Sequence, residues 1–143
     1  EDFFSKGFQM QNLILHSNMI LKLNKDSFSK TKGLIKLDLS RNFLCEPHSD
    51  TFKTLFRLEV LDLSHNYIKN ISSLLFENLF SLKILDLSFN HIYHLSDNSF
   101  KNLIYLNELY LHLNPNLTVI NSIFTFYGIK NIKLIHFPFS LFR

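Results

Sequence analysis

The chain has no tryptophan, a single cysteine, no long apolar run and no block of like charge in its 143 residues. With Cys45 alone, no internal disulfide can form. No stretch approaches the roughly 18 apolar residues of a membrane span. The opening residues, EDFFSKGFQM, hold no basic segment followed by an apolar one, so they do not read as a signal peptide. Lys and Arg are scattered, and a net charge of +3 without a basic tract argues against a nucleic-acid partner. What the chain does have is apolar bulk. Hydrophobic residues make up 46%, and sixteen are Phe, enough to bury a core as one domain.

That bulk is periodic. LEVLDLSHNYIKNISSLLFENLFS is followed directly by LKILDLSFNHIYHLSDNSFKNL, a repeat of 24 residues. Leu58, Leu61, Leu63, Asn66, Ile68, Ile71, Phe76 and Leu79 recur as Leu82, Leu85, Leu87, Asn90, Ile92, Leu95, Phe100 and Leu103. A fixed period in the 20–50 range with the pattern LxxLxLxxNxL identifies a leucine-rich repeat solenoid. The same frame places rungs at 10–33, 34–57, 58–81, 82–105 and 106–128, with partial rungs at 1–9 and 129–143. Thr31 takes the slot that is Leu55, Leu79 and Leu103 later, and Phe4 takes a Phe slot whose strand would precede residue 1. The chain is therefore expected to be one repeat domain within a longer protein. Pro47 stands in an aliphatic slot, so the outer side of its rung should be an irregular turn. The fifth rung reads one residue short, with Asn116 in the Leu44 slot, Leu117 turned inward and Phe124 as its Phe. The sixth begins at Ile129 with Ile132 and Leu134 inward, and then loses the frame, with Phe137 in the Asn slot.

Burial explains the pattern. Within each rung, positions 4 and 6 alternate to one face of a short strand, and positions 3, 5, 7 and 8 face away. The expected fold class is α/β: a curved horseshoe with one short parallel strand per rung near 12–16, 36–40, 60–64, 84–88, 108–112 and 131–135, and irregular or short helical turns outside. One rung cannot bury its leucines alone, so each needs its neighbours. The Asn column (Asn18, Asn42, Asn66, Asn90, Asn114) should satisfy backbone groups of the inward turn. The Phe column (Phe28, Phe52, Phe76, Phe100, Phe124) should fill the far side of each coil.

With these columns in view, LDLSxNxI at 61–68 and 85–92 resembles the typical repeats of Toll-like receptors, Slit, chaoptin and the small leucine-rich proteoglycans. The resemblance covers about residues 4–135. It implies a non-enzymatic module that binds a protein ligand, as part of a receptor or adhesion ectodomain at the cell surface. The alternatives are a cytoplasmic repeat scaffold and an extracellular-matrix structural protein. No cofactor is implied.

The outward positions hold the candidates. Position 5 reads Ile14, Asp38, Asp62, Asp86, Tyr110 and Lys133, and its aspartates are expected to be solvated consensus residues. At positions 3 and 8, Val60, Ile84 and Phe89 depart from a polar surface, and with His65, Asp86 and Tyr110 they form the candidate partner-binding patch. His16 and His112 share a column but lie about 19 Å apart, four rungs at sheet spacing, and His91 and His94 lack a third ligand, so no metal site is expected. Asp62, Ser64 and His65 match a hydrolase triad only by letter, without a glycine-rich nucleophile turn, so no catalytic residue is expected. Two glycosylation sequons occur, Asn70-Ile71-Ser72 and Asn116-Leu117-Thr118, with Asn70 expected in an exposed turn. Cys45 reads as a small packing residue.

Overall fold

The computed structural model describes residues 10–118, 120, 122 and 124–142, and the expectation for Phe4 lies outside them. Among the described residues eight short strands follow in order: β1 (Asn12–Ile14), β2 (Lys36–Asp38), β3 (Val60–Asp62), β4 (Asn70–Ile71), β5 (Ile84–Asp86), β6 (His94–Leu95), β7 (Glu108–Tyr110) and β8 (Leu134–His136). Six of them form one parallel sheet in the order β1-β2-β3-β5-β7-β8. The register steps by whole rungs, Leu13↔Leu37↔Leu61↔Leu85↔Leu109, as the 24-residue frame requires. Ladder hydrogen bonds continue past the strands, from Leu39 N–H to Asp62 O and from Arg41 N–H to Ser64 O. The pairing therefore spans the length expected from sequence. Outside the sheet each coil is closed by turns, and the one helical segment among the described residues is a 3-10 turn at Phe139–Phe142.

Inward leucines make the core. Leu37, Leu39, Leu61, Leu63, Leu85, Leu87, Leu109 and Leu111 are all fully buried. On the far side the Phe rings stack rung on rung, with centroids 6.0, 6.4 and 6.2 Å apart from Phe28 through Phe52 and Phe76 to Phe100. Between them, β4 and β6 pair in parallel on the outer flank. In the second rung Glu46 and Pro47 occupy that slot, and the ladder stops there because proline has no N–H to contribute.

The Asn column joins neighbouring rungs. Asn66 Nδ2 donates to the carbonyls of Leu39, Leu63 and Ser64 at 3.0–3.1 Å, while its Oδ1 accepts from Leu44 N–H at 3.0 Å. Asn42, Asn90 and Asn114 repeat the arrangement, accepting from Ile20, Ile68 and Ile92. Each side chain thus satisfies backbone groups both in its own turn and in the rung before it.

The end of the chain differs from the sequence reading. Leu109 pairs with Ile135, a step of 26 residues, so the fifth rung is two residues longer than the others and runs past 128. The matching Phe is Phe126, whose ring lies 5.6 Å from Phe100, whereas Phe124 is 51% exposed. The sixth rung therefore begins at Ile132, its strand lies at 134–136 and not at 131–135, and Ile135 and Phe137 face inward. Leu134 points out, His136 takes the slot assigned to Lys133, and Ser140 takes the Asn slot assigned to Phe137. One of the two extra residues is accommodated where Leu117, fully buried, turns into the core and leaves Asn116 exposed.

Candidate ligand-binding face

Only the outer face of the six-stranded sheet is free to present chemistry, because the other is the core. At its edge the backbone takes an unusual conformation in the first five rungs. Ser17, Arg41, His65, Phe89 and Leu113, all at position 8, have φ between 53° and 56°. This left-handed region is costly for residues with a Cβ. It turns the chain inward toward the Asn ladder and throws the position-8 side chain outward. The position-7 serines swing in: Ser40, Ser64 and Ser88 are buried, so in these three rungs position 7 does not belong to the exposed face as expected, whereas His16 is exposed and His112 half-buried.

The aspartates at position 5 are not fully solvated either. Asp38, Asp62 and Asp86 are half-buried, and each accepts a backbone N–H two residues on, from Ser40, Ser64 and Ser88 at 3.0, 2.9 and 2.8 Å. Ser40 and Ser88 add hydroxyl donations at 2.7 and 2.6 Å. Burial pushes the Asp62 carboxyl above its ordinary range, and the like charges of Asp86 and Asp38 add to the shift against hydrogen bonds from Ser64. These carboxylates brace the turn.

The candidate patch is brought together. Val60 pairs with Ile84, and Asp86 with Tyr110. His65 stacks on Phe89 with centroids 4.0 Å apart and planes 14° from parallel. Phe89 remains 41% exposed. The sheet extends this surface to residues that the sequence reading left out. The His112 ring meets Phe89 edge-on at 5.6 Å, and His136 lies 5.1 Å from Tyr110 and 5.5 Å from His112. Tyr110 donates its hydroxyl to Glu108 Oε2 at 2.7 Å, and that hydrogen bond raises the Tyr110 pKa, with burial and the Glu108 charge adding to it. Five rings, those of His65, Phe89, His112, Tyr110 and His136, thus form one continuous surface from β3 to β8. His112 was visible in the sequence at position 7. His136 could be placed only with the 26-residue step, for which the sole sequence signal is a choice between Phe124 and Phe126. Beyond the rings, a cleft of about 780 Å³ opens between Leu113, Pro115, Leu134 and Phe139.

The remaining candidates lie elsewhere. Asn70 is half-buried in β4 and not in a turn, and its Nδ2 is 3.4 Å from the Tyr93 hydroxyl. Cys45 is exposed and does not serve packing. The His65 ring lies on Phe89, and Ser64 gives its backbone N–H to Asp62, so the triad letters describe a turn. Among the described residues no three His, Cys, Asp or Glu side chains converge on a common point, and no helix is long and apolar enough to cross a membrane.

Comparison with known proteins agrees with this fold. The family model described as Leucine rich repeat matches residues 46–92. Among solved structures, Toll-like receptor 13, determined in complex with a single-stranded RNA, is similar at 27% identity and a TM-score of 0.62. The match covers 90% of this chain and 21% of that one, so the chain spans about a fifth of the receptor's length. No curated protein matches in sequence. The chain folds as a leucine-rich repeat solenoid and is similar in structure to part of a Toll-like receptor.

Proposed function

We propose that this solenoid is a non-enzymatic recognition module of a receptor or adhesion ectodomain, acting outside the cell, and that it binds a protein ligand on the concave face of its sheet. The carrying observation is the five-ring surface around Phe89, an exposed aromatic stacked on His65 and bordered by Tyr110 and His112. Aromatic area at a patch centre with ionisable groups at its rim is the make-up of protein interfaces. Val60 and Ile84 extend it on one side, and Asp86 marks its polar margin.

The Toll-like receptor 13 complex raises a second reading, single-stranded RNA, whose bases could stack on the same rings. Asp38, Asp62, Asp86 and Glu108 lie on this face too, and their negative charge opposes a phosphate backbone. The protein reading is therefore preferred. The test is affinity capture on the intact chain, followed by titration of the captured partner against wild type and Phe89→Ala. The expected loss is about 30-fold, or 2 kcal/mol, with an unchanged melting temperature. Wild-type affinity in Phe89→Ala and Tyr110→Ala, or salt-sensitive RNA binding lost in the same variants, would overturn it.

A further inference from the structure

One flank of the solenoid carries a second aromatic strip that the sheet face does not use. Immediately after Asn42, Asn66 and Asn90 of the ladder stand Phe43, Tyr67 and His91, and these rings stack at 5.8 and 5.4 Å. Tyr93 adds a ring that is 52% exposed. A bare strip of this kind would favour aggregation unless something covers it. Both sequons open on this flank. Asn70 precedes the buried Ile71, so its side chain is directed away from the core, and its amide nitrogen reaches the Tyr93 hydroxyl at 3.4 Å. Asn116 is exposed and follows Pro115, which holds the strip's place in the fifth rung.

We propose that the flank is covered by N-linked oligosaccharides on Asn70 and Asn116, and that the first sugar on Asn70 rests against Tyr93. The electron-rich face of a tyrosine ring complements the C–H face of a pyranose. In the transfer, the Asn amide nitrogen attacks the anomeric carbon of a lipid-diphosphate-linked oligosaccharide. The new C–N bond replaces the C–O bond, the lipid diphosphate leaves with the electron pair, and an amide proton is released to the transferase base. The covering rests on the ectodomain reading for its compartment, and it leaves the sheet face open for a partner.

The test expresses the full chain in mammalian cells behind a supplied secretion leader, with an added C-terminal sequon reporting delivery to the glycosylation machinery. Amidase removal of glycans in heavy-oxygen water marks each occupied Asn as labelled Asp. Labelling at Asn70 and Asn116 is expected, and an unlabelled Asn70 in chains whose reporter sequon is labelled overturns the proposal. Glycan removal should lower the melting temperature by about 3 °C in wild type, and by less than half that in Tyr93→Ala. Equal losses overturn the Tyr93 contact, and Asn70→Gln, which removes the glycan without touching Tyr93, should match deglycosylated wild type if Tyr93→Ala does not fold. Since the leader is supplied, occupancy is independent of native compartment, and partner binding at Phe89 is a separate measurement.

Discussion

Replacing Asn66 with Ala removes four hydrogen bonds, but their loss is unequal. The Leu39 carbonyl keeps Asn42 as a donor, the Leu63 carbonyl keeps Asn90, and the Ser64 carbonyl keeps the Arg41 N–H. Leu44 N–H has no such substitute, and Leu44 is buried. One stranded buried donor costs about 1–3 kcal/mol. Three weakened carbonyls add a smaller amount, so about 2–3 kcal/mol is expected, or a melting temperature lower by about 6–10 °C. Asn114→Ala should cost more, because both Ile92 N–H and the Leu111 carbonyl would be stranded. Asn18→Ala should cost little, since Asn18 is exposed and Leu15 O keeps Asn42. Urea unfolding of the three variants, followed by circular dichroism, gives the order directly. Equal costs for Asn18 and Asn66, or a cost below about 0.5 kcal/mol for Asn66, would refute the ladder as the source of stability.

Asp62→Asn keeps an acceptor for Ser64 N–H and removes a carboxylate whose folded pKa is raised from 3.8 by burial. A raised carboxyl pKa means that the folded state binds more protons, so ionisation destabilises and the penalty vanishes as pH falls below the unfolded value. The variant should therefore melt higher than wild type at pH 7, and the gap should close by pH about 3; a gap that widens on acidification would contradict the assignment. Gly128 has φ of 97°, and a Cβ there would meet Lys101 O at 2.0 Å, so Gly128→Ala should destabilise by about 2–4 kcal/mol in the same unfolding assay. Phe126→Ala should cost about 2–4 kcal/mol and Phe124→Ala under 1, and the reverse order would restore the shorter fifth rung.

How much of the molecule the sequence discloses depends on which side of the chain carries the information. Inward positions are constrained by stacking, so Leu61, Leu85 and Asn66 announce themselves by recurrence and place the first residue of five of the six sheet strands, each of which ends two residues earlier than expected. Where recurrence fails, at Pro115 to Phe126, two phenylalanines two apart offer two registers. Only the stack of Phe126 on Phe100 and the pairing of Leu109 with Ile135 decide between them. That slip moved His136 out of the candidate patch. The half-burial of Asp62 and the inward Ser64 were hidden for another reason. A strict two-residue alternation cannot signal a left-handed residue at position 8, since the five side chains there share no chemical trait.

That diversity bears on function. Ser17, Arg41, His65, Phe89 and Leu113 adopt nearly the same φ, so the conformation is not chosen by the side chain. It is imposed by the scaffold: Phe89 N–H donates to His112 O in the next rung, and both ends of the adjoining Asn90 amide are held by the rung before, its Oδ1 accepting from Ile68 N–H and its Nδ2 donating to Leu63 O. The unfavourable backbone energy is therefore present whatever residue stands at position 8. Its side chain, directed outward, contributes little to the core. Residues at this position are decoupled from folding while being the most prominently displayed on the sheet face. An aromatic there, stacked on His65 where a serine or arginine serves in other rungs, adds apolar exposure that the fold does not need. Loss of partner binding without loss of stability in Phe89→Ala follows from this separation.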